Sequence, residues 1–480
     1  MTDGPSSSPG RIALLVQRVV GDRASVPSSL EELRGTETAK AVGLVVAMIA
    51  NNVIALGSTV VFSRLLKDNQ GGGYGSLAAL VSYFLILSVV GQALQVATAR
   101  EGVLGHLGVG AGLMATVRRW TRGLLLFTIF LTVVSVLLRD PIARAVGVKH
   151  DPWAAAVGLP AAGLWLELSV LRGVLQGVGD YKGVGLSLIG EQGVRLVAGA
   201  ILAAAGLGVT GAYLGTPVSF IAMCLYCGHR LRQHVREIES APSEPLVGVA
   251  RSSPAAAAAL SLWEHVRRAW APIAGLIVIA VLQNIDIIAA KHQFNTHLAS
   301  SYGAVAVAAK VLIWVAMGAG FYLVPEVSRR RAAGQDPRPI LVRALGIVAV
   351  CAVPALLIFA VASRLLIKAA FGASKTGASN SLLVLGLAFT VLACTYLAIQ
   401  YMLAMRRTWF LVLLGAVAVA EPILLLNASH QPKSFAAVVL VIQVVGALVA
   451  FGCALRPDRA QVSPPGRPER LAEERVPEPV

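Results

Sequence analysis

Several charged and amide side chains lie inside long apolar segments of this 480-residue sequence. A charged residue at the centre of a membrane-spanning helix costs about 2.5 to 3.5 kcal/mol on insertion scales, so each one needs a partner or water. These positions therefore predict either a polar cavity or ion pairs between helices. The candidate cavity residues are Arg195, Lys310, Glu191, Asn51, Asn52, Arg64, Asn284 and Asp286. The candidates for binding a coupling ion are Glu421 and Glu167.

Three of these residues carry the main prediction. Glu191 and Arg195 are four residues apart, the spacing at which an acid and a base pair on one face of a helix. Such a pair either neutralises itself and holds its helix to a neighbour, or contacts a substrate. Lys310 has no acid at helical spacing within its own apolar segment. It needs a partner from another helix or an anionic ligand, and we favour the ligand and hence a cavity.

Two acidic residues allow two interpretations each. Asp286 lies near the outer end of its segment, five residues before Lys291. It is either a cavity residue or a side chain hydrated at the membrane surface. Glu421 directly precedes Pro422. This pair breaks the helix, binds a coupling cation or serves packing, and we favour packing.

The other polar residues are weaker candidates. Asn51 and Asn52 either line the cavity or form hydrogen bonds between helices, which is the commoner role of such residues in membranes. Arg64 and Arg172 are expected to act first as anchors at the membrane surface.

The sequence lacks the motifs of a catalytic or metal site. It has no HExxH, GxSxG or Walker-type loop, and its external connections are too short for an active-site domain. Cys224 and Cys227 have CxxC spacing, but without a second pair they lack the four ligands of structural zinc. We therefore expect no enzyme, no metal site and no cofactor.

The composition is that of a membrane protein. Hydrophobic residues make up 56% of the chain and charged residues 14%, and the mean hydropathy is +0.72, values far from those of soluble domains. The net charge of +16 is spread in short clusters between apolar segments. Membrane topology explains this distribution better than nucleic-acid binding does.

Twelve apolar segments are long enough for the ~20 residues that a hydrocarbon core requires. They lie at about 41–63, 76–99, 121–138, 153–171, 184–206, 209–228, 270–290, 302–325, 341–363, 381–404, 409–427 and 434–455. A cytoplasmic N-terminus places most Arg and Lys residues of the connections on the cytoplasmic side, as the positive-inside rule requires. We expect a multi-pass protein of the inner membrane with both termini in the cytoplasm.

The apolar segments form two sets of six, and the sets share motifs. We expect a cytoplasmic N-terminal segment (1–38), an N-lobe (39–228), a basic cytoplasmic linker (229–261), a C-lobe (262–455) with an interfacial helix before its first span, and a disordered cytoplasmic tail (456–480). Tyr74-Gly75 in the N-lobe recurs as Tyr302-Gly303 in the C-lobe. Because each copy has an even number of spans, both lobes keep the same orientation.

The expected fold is therefore an all-α polytopic membrane protein. About twelve transmembrane helices form two six-helix lobes related by a pseudo-two-fold axis along the membrane normal. A cavity between the lobes follows from that symmetry.

Four ordered motifs within residues 39–455 resemble a known family. They are 62–66 (Phe-Ser-Arg-Leu-Leu) with Tyr74-Gly75, 171–177 (Leu-Arg-Gly-Val-Leu-Gln-Gly) with Tyr181, Arg195 with 206–212 (Gly-Leu-Gly-Val-Thr-Gly-Ala), and 302–310 with 325–329 (Pro-Glu-Val-Ser-Arg). With these motifs the sequence resembles the polysaccharide-transporter branch of the multidrug/oligosaccharidyl-lipid/polysaccharide (MOP) exporter superfamily. That branch contains O-antigen flippases and is related to lipid II flippases, from which this chain differs in having fewer spans.

The resemblance implies alternating access and a lipid-linked oligosaccharide as cargo. Its pyrophosphate is expected to cross a cationic cavity, where Arg195 and Lys310 meet it through charge-assisted hydrogen bonds. The implied partners are the lipid-linked glycan, membrane lipids, and the glycosyltransferases or polymerase of a polysaccharide pathway. The alternative is an ion-coupled exporter of drugs or other small molecules from the same superfamily.

Overall fold

The computed structural model of the protein describes residues 37–66, 73–103, 106–108, 110–240, 270–405 and 407–456. The described residues are almost entirely helical and contain no β-strand. Most of the predicted N-terminal segment, nearly all of the predicted interfacial helix, and the tail from residue 457 onward lie outside the described residues.

In the described part of the N-lobe there are six long helices and two short ones. In chain order they are α1 (Glu37–Leu65), α2 (Tyr74–Val103), α3 (Ala111–Leu137), the short α4 (Arg139–Val146) and α5 (Pro152–Ala156), α6 (Gly158–Gly177), α7 (Tyr181–Leu202) and α8 (Gly208–Ser240). A π-helical turn at Ala203–Leu207 joins α7 to α8, and Gly206 within it has a φ of 100°. Glycine adopts this left-handed conformation without the strain that a Cβ would introduce.

The described residues of the C-lobe, from 270 onward, form six long helices. They are α9 (Trp270–Gln293), α10 (Thr296–Ala332), α11 (Arg338–Phe371), α12 (Leu382–Ala404), α13 (Phe410–Leu426) and α14 (Pro432–Ala454). A 3₁₀ segment at Ala373–Ser381 connects α11 to α12.

Corresponding helices pack against each other in both lobes. In the N-lobe α2 packs on α6, α1 on α7 and α3 on α6; in the C-lobe α10 packs on α12, α9 on α13 and α11 on α12. Ten described helical segments are long and apolar enough to cross a membrane, and α13 is a shorter apolar helix. One of the ten, Tyr181–Glu237, contains both α7 and α8, so the total with α13 is twelve. The fold is therefore an all-α polytopic one, with two six-helix lobes related by a pseudo-two-fold axis along the membrane normal.

Glycines bring α2 and α6 into close contact. A Cβ on Gly102 would lie 2.7 Å from the Cα of Gly177, and a Cβ on Gly173 would lie 2.6 Å from the carbonyl oxygen of Gln95. Small residues at such crossings let membrane helices approach until their backbones touch. This contact fixes α6, which carries two charged residues of the site, against its neighbour.

Two helices continue beyond the ends predicted from hydropathy. Helix α8 continues to Ser240, so residues 229–240 of the predicted linker are helical, and residues 241–261 of that linker lie outside the described residues. Helix α6 continues to Gly177, six residues past the predicted end at residue 171. Polar residues end an apolar pattern without ending a helix, because the backbone hydrogen bonds continue through them.

Candidate functional site

The N-lobe contains a buried cluster of two arginines and one glutamate. Arg172 of α6 lies 2.9 Å from one carboxylate oxygen of Glu191 on α7, and Arg195 of α7 lies 2.6 Å from the other. Arg172 also donates to the hydroxyl and the carbonyl of Ser187, each at 2.8 Å. Ser187, Glu191 and Arg195 are spaced four residues apart, so they lie on one face of α7.

The two arginines of this cluster differ in what they can still bind. Arg172 is completely buried, and its three guanidinium nitrogens all donate within the lobe. The side chain of Arg195 is 20% exposed, and its guanidinium lies 5.3 Å from the ring centre of Phe220. Its Nε is buried and has no hydrogen-bond partner among the described residues. Arg195 therefore has donor capacity left for an anion, whereas Arg172 positions Glu191.

The C-lobe contains a buried ion pair between two other helices. Asp286 of α9 is fully buried, and its carboxylate lies 3.2 Å from the ammonium of Lys310 on α10. The hydroxyl of Tyr302, also on α10, donates to the second oxygen of Asp286 at 3.3 Å. The Lys310 ammonium lies 5.3 Å from the ring centre of Phe389 on α12, where the aromatic face attracts a cation.

A second acid lies near this pair. Glu421 of α13 is fully buried and accepts a hydrogen bond of 3.2 Å from the amide of Gln443 on α14. The same amide donates to the carbonyl of Leu282, one turn before Asp286 on α9. The remaining oxygens of Glu421 and Gln443 are buried and have no partner among the described residues. Pro422 has no N–H, which removes the helical hydrogen bond to the carbonyl four residues earlier.

The other predicted site residues lie apart from these clusters. Asn51 and Asn52 are half-buried on α1, where the amide of Asn51 contacts Asn52 at 3.4 Å. Asn284 is buried and donates to the Ala280 carbonyl of its own helix. Glu167 is buried on α6 and makes no ion pair among the described residues.

Arg64 is exposed and lies at a junction between the lobes. Its guanidinium donates to the carbonyls of Ala369 and Ala370 at the end of α11, at 2.8 and 3.1 Å. The sequence predicted a surface anchor and did not show the contact with α11, because that contact depends on which helices become neighbours.

The repeated Tyr-Gly motifs meet each other at the same junction. The backbone N–H of Gly75 donates to the hydroxyl of Ser300 at 2.9 Å, and a Cβ on Gly303 would lie 3.2 Å from that of Ala78. His292 at the end of α9 donates to the carbonyl of Ala145 on α4 at 3.0 Å. These contacts join the starts of α2 and α10 and the ends of α1, α9 and α11.

Asp151, which precedes α5, lies near this junction. Burial raises the pKa of Asp151 above its ordinary value, and the positive charges of Lys291 and His150 partly offset that effect. Polar contacts near the opposite end of the helices include Asp180 with Arg230 and Arg407 with the carbonyl of Cys453. Each of these contacts lies within a single lobe.

Sequence reasoning identified some of these contacts and missed others. It predicted the pair of Glu191 and Arg195, which is confirmed. It left open whether Lys310 has a partner on another helix, and that partner is Asp286. It was wrong about Arg172, because α6 continues through that position and buries it. Gln443 was missed; a single glutamine in an otherwise apolar segment was the available signal.

The described residues contain no group of three or more His, Cys, Asp or Glu side chains that could hold a metal ion. The two clusters contain two kinds of buried groups without a hydrogen-bond partner among the described residues. Arg195 offers donors to an anion, and the Glu421–Gln443 pair offers oxygen acceptors to a proton or a cation.

Comparison with known proteins places the fold among membrane transporters. No protein-family model and no curated protein matches the sequence. An inward-facing multidrug resistance MATE family transporter of the MOP superfamily superposes with a TM-score of 0.64, at 15% identity, over 86% of this chain and 98% of that chain. The lipid II flippase MurJ in an inward closed conformation also gives 0.64, at 12% identity, over 86% and 88%. An outward-facing MATE transporter of the MOP superfamily gives 0.53, at 15% identity, over 90% and 98%.

These structures define the class of fold first. The chain has the two-lobed helical fold of membrane transporters and flippases. More narrowly, that fold is the one shared by the MATE transporters and MurJ.

Proposed function

We propose that this protein is a flippase that moves a lipid-linked oligosaccharide across a bacterial inner membrane by alternating access. The cargo class is a polyprenyl-pyrophosphate carrier bearing a polysaccharide repeat unit. In this proposal both termini lie in the cytoplasm. The protein acts beside the glycosyltransferases or polymerase of a polysaccharide pathway.

The excess positive charge of the N-lobe cluster carries this proposal. Arg172 and Arg195 share one acid, Glu191, so the ionised cluster has a net charge of +1 (two arginines minus one glutamate). A buried excess charge is costly unless an opposite charge visits it. Arg195 is the partly exposed member with an unused buried donor, and it is assigned to the pyrophosphate.

Lys310 supplies a second cation in the C-lobe. An ammonium has three donors, and Asp286 is the carboxylate that accepts one of them. Lys310 can therefore donate to a phosphate oxygen while it remains paired with Asp286. We retain Glu191, Asp286, Asn284, Asn51, Asn52 and Arg64 as proposed members of the substrate path or its supports.

The proposed coupling residues are Glu421 and Glu167. Lys310 already balances the charge of Asp286, so the acceptors left over in the C-lobe are one oxygen of Glu421 and one of Gln443. A proton on Glu421 would turn its unpartnered oxygen into a hydrogen-bond donor. It would also remove the negative charge that burial disfavours. In the N-lobe, Glu167 lies apart from the arginine cluster and is a buried acid with no ion pair among the described residues.

The direction in which the cargo site opens is part of the proposal. The four hydrogen bonds between Arg64, Gly75, His292 and their partners in the other lobe lie at the proposed outer end. Both neighbours with a TM-score of 0.64 are inward conformations, and the outward-facing one scores 0.53. These observations support a state in which the lobes are closed at the proposed outer end.

Translocation in liposomes tests the proposal. Purified protein is reconstituted with a polyprenyl-pyrophosphate oligosaccharide whose fluorescent glycan is quenched when it reaches the outer leaflet. We expect Arg195→Ala to abolish translocation, because the unused hydrogen-bond donors of Arg195 are lost. The ion pair between Glu191 and Arg172 remains in this variant. Arg364→Ala removes an exposed arginine of α11 and is the matched control. Wild-type translocation by Arg195→Ala would overturn the assignment.

An ion-coupled exporter of small molecules is the second candidate. The unpartnered oxygens of Glu421 and Gln443 favour it, since a buried acid without a fixed cation suits a driving ion. Here a proton or sodium gradient drives efflux of a cationic dye from the same liposomes, and Glu421→Gln stops it. Dye efflux together with failure to move the glycan would favour this candidate over the flippase.

A further inference from the structure

Three exposed arginines form a compact patch on α3. Arg118, Arg119 and Arg122 lie within five residues of one another, and all three side chains are exposed. The opposite face of the helix is buried against the lobe. That buried face consists of Leu113, Val117, Trp120, Leu124 and Thr128.

The arginine patch continues directly into an exposed apolar stripe. On the same face follow Leu126, Ile129, Phe130, Val133 and Leu137, with exposures between 53% and 75%. The positions 118, 122, 126, 129, 133 and 137 are separated by three or four residues, which keeps them on one side of a helix. From Arg118 to Leu137 the helix rises about 28 Å, close to the thickness of a hydrocarbon core. The stripe therefore faces lipid tails, and the arginines lie at the level of the headgroups.

No acid of the helix balances this charge. The sequence of α3 contains no Asp or Glu, and none of the three arginines forms an ion pair among the described residues. Other basic residues near the same end of the lobes do have partners. Arg329 and Arg330 pair with Glu326, at 3.1 and 3.4 Å.

We propose that Arg118, Arg119 and Arg122 form a binding site for the headgroup of an anionic phospholipid. The guanidinium groups donate to the phosphate oxygens, and the lipid tails lie along the exposed stripe of α3. Lipid is the chosen occupant because the exposed apolar stripe begins one turn from the arginines, so one molecule with an anionic headgroup and apolar tails can contact both. The site does not depend on the transported cargo.

The corresponding helix of the C-lobe provides an internal contrast. Helix α11 also contains no acid and also has an exposed apolar stripe, which includes Val350 and Val361. Its cytoplasmic end carries only Arg338 and Arg343, and the guanidinium of Arg338 donates to the carbonyl of Leu455. We expect tighter binding of anionic lipid at α3 than at α11.

Native mass spectrometry tests the site. The full-length protein is released from detergent and titrated with phosphatidylglycerol or with phosphatidylcholine of the same acyl chains. We expect the first phosphatidylglycerol to bind more tightly than phosphatidylcholine. The triple variant Arg118→Gln/Arg119→Gln/Arg122→Gln should weaken that first binding event roughly 100-fold, from about 1 kcal/mol per basic residue at a lipid surface.

Two further triple variants distinguish lipid binding at this site from attraction of the lipid by the overall positive charge. Arg329→Gln/Arg330→Gln/Arg331→Gln removes the same formal charge elsewhere and should leave the first binding event unchanged. Arg118→Lys/Arg119→Lys/Arg122→Lys keeps the charge and should retain most of the preference, which guards against a folding defect in the Gln variant. Equal affinity of the wild type for both lipids, or an unchanged affinity in the Gln variant of α3, would overturn the proposal.

Discussion

The N-lobe and the C-lobe share an order of helices but carry their buried charges on different ones. In the N-lobe, Arg172 and Glu191 connect the fourth and fifth spanning helices, α6 and α7. In the C-lobe, Asp286 and Lys310 connect the first and second, α9 and α10. One feature is common to both: the fifth spanning helix of each lobe carries a buried glutamate, Glu191 on α7 and Glu421 on α13.

The two glutamates have opposite surroundings. Glu191 is held by two guanidinium groups, whereas Glu421 is held by the neutral amide of Gln443. With all groups ionised the N-lobe cluster carries +1, and the C-lobe cluster carries −1 (one lysine minus two acids). The pseudo-symmetric backbone thus presents opposite charge in its two halves. In the proposed mechanism the N-lobe serves the anionic cargo and the C-lobe serves the driving ion.

The largest effect is expected from neutralising the N-lobe glutamate. Glu191→Gln keeps the shape of the side chain but leaves Arg172 and Arg195 without a carboxylate in a buried site. Breaking such a network costs about 3 to 5 kcal/mol, to be measured as the free energy of unfolding by denaturant in detergent. If Glu191→Gln and Glu421→Gln had the same unfolding free energy, the proposed difference between the two glutamates would be wrong.

A somewhat smaller loss is expected in the C-lobe ion pair. Lys310→Met leaves Asp286 with only the Tyr302 hydroxyl, at a cost of about 3 kcal/mol, because the acid can take up a proton and limit the penalty. The same unfolding assay checks this value. The double variant Asp286→Asn/Lys310→Met should recover most of the loss, and a double variant as unstable as the single one would contradict the pairing.

The repeated Tyr-Gly motifs allow a matched pair of substitutions at the junction of the lobes. A Cβ on Gly75 would lie 2.9 Å from the backbone nitrogen of Ser300, whereas a Cβ on Gly303 would lie 3.2 Å from the Ala78 Cβ. We expect Gly75→Ala to destabilise this junction by about 1 to 3 kcal/mol, and Gly303→Ala to do so by less.

Spin labels at the exposed positions Leu65 and Leu365 measure this effect as a longer distance between the ends of α1 and α11. The labels are introduced in a variant that lacks the native cysteines. Identical distance distributions for Gly75→Ala and Gly303→Ala would show that the two motifs contribute equally to the junction.

The smallest effect on stability is expected at Glu421. Glu421→Gln loses one hydrogen-bond arrangement with Gln443 and no ion pair, so the unfolding free energy should change by less than about 1 kcal/mol. Transport driven by a proton gradient should nevertheless stop, because the amide cannot exchange a proton. Transport at the wild-type rate with the gradient imposed would remove Glu421 from the coupling role.

The fold was largely predictable from sequence, and the site only in part. Apolar length and the doubled motifs determine twelve helices in two lobes, because each span must satisfy its own backbone in lipid. Pairing within one helix was predictable as well, since Glu191 and Arg195 have helical spacing. The partner of Lys310 and the role of Gln443 were not, because they depend on which helices become neighbours and how each is rotated about its axis.

The contacts between Arg64, Gly75, His292 and the opposite lobe have an evolutionary consequence. In every one of these hydrogen bonds at least one partner is a backbone group: the carbonyls of Ala369, Ala370 and Ala145, or the amide of Gly75 itself. Substitutions at those alanine positions leave the acceptor in place. The alanines can therefore be replaced without loss of the junction, provided that Arg64, His292 and Ser300 keep the side chains that complete these hydrogen bonds.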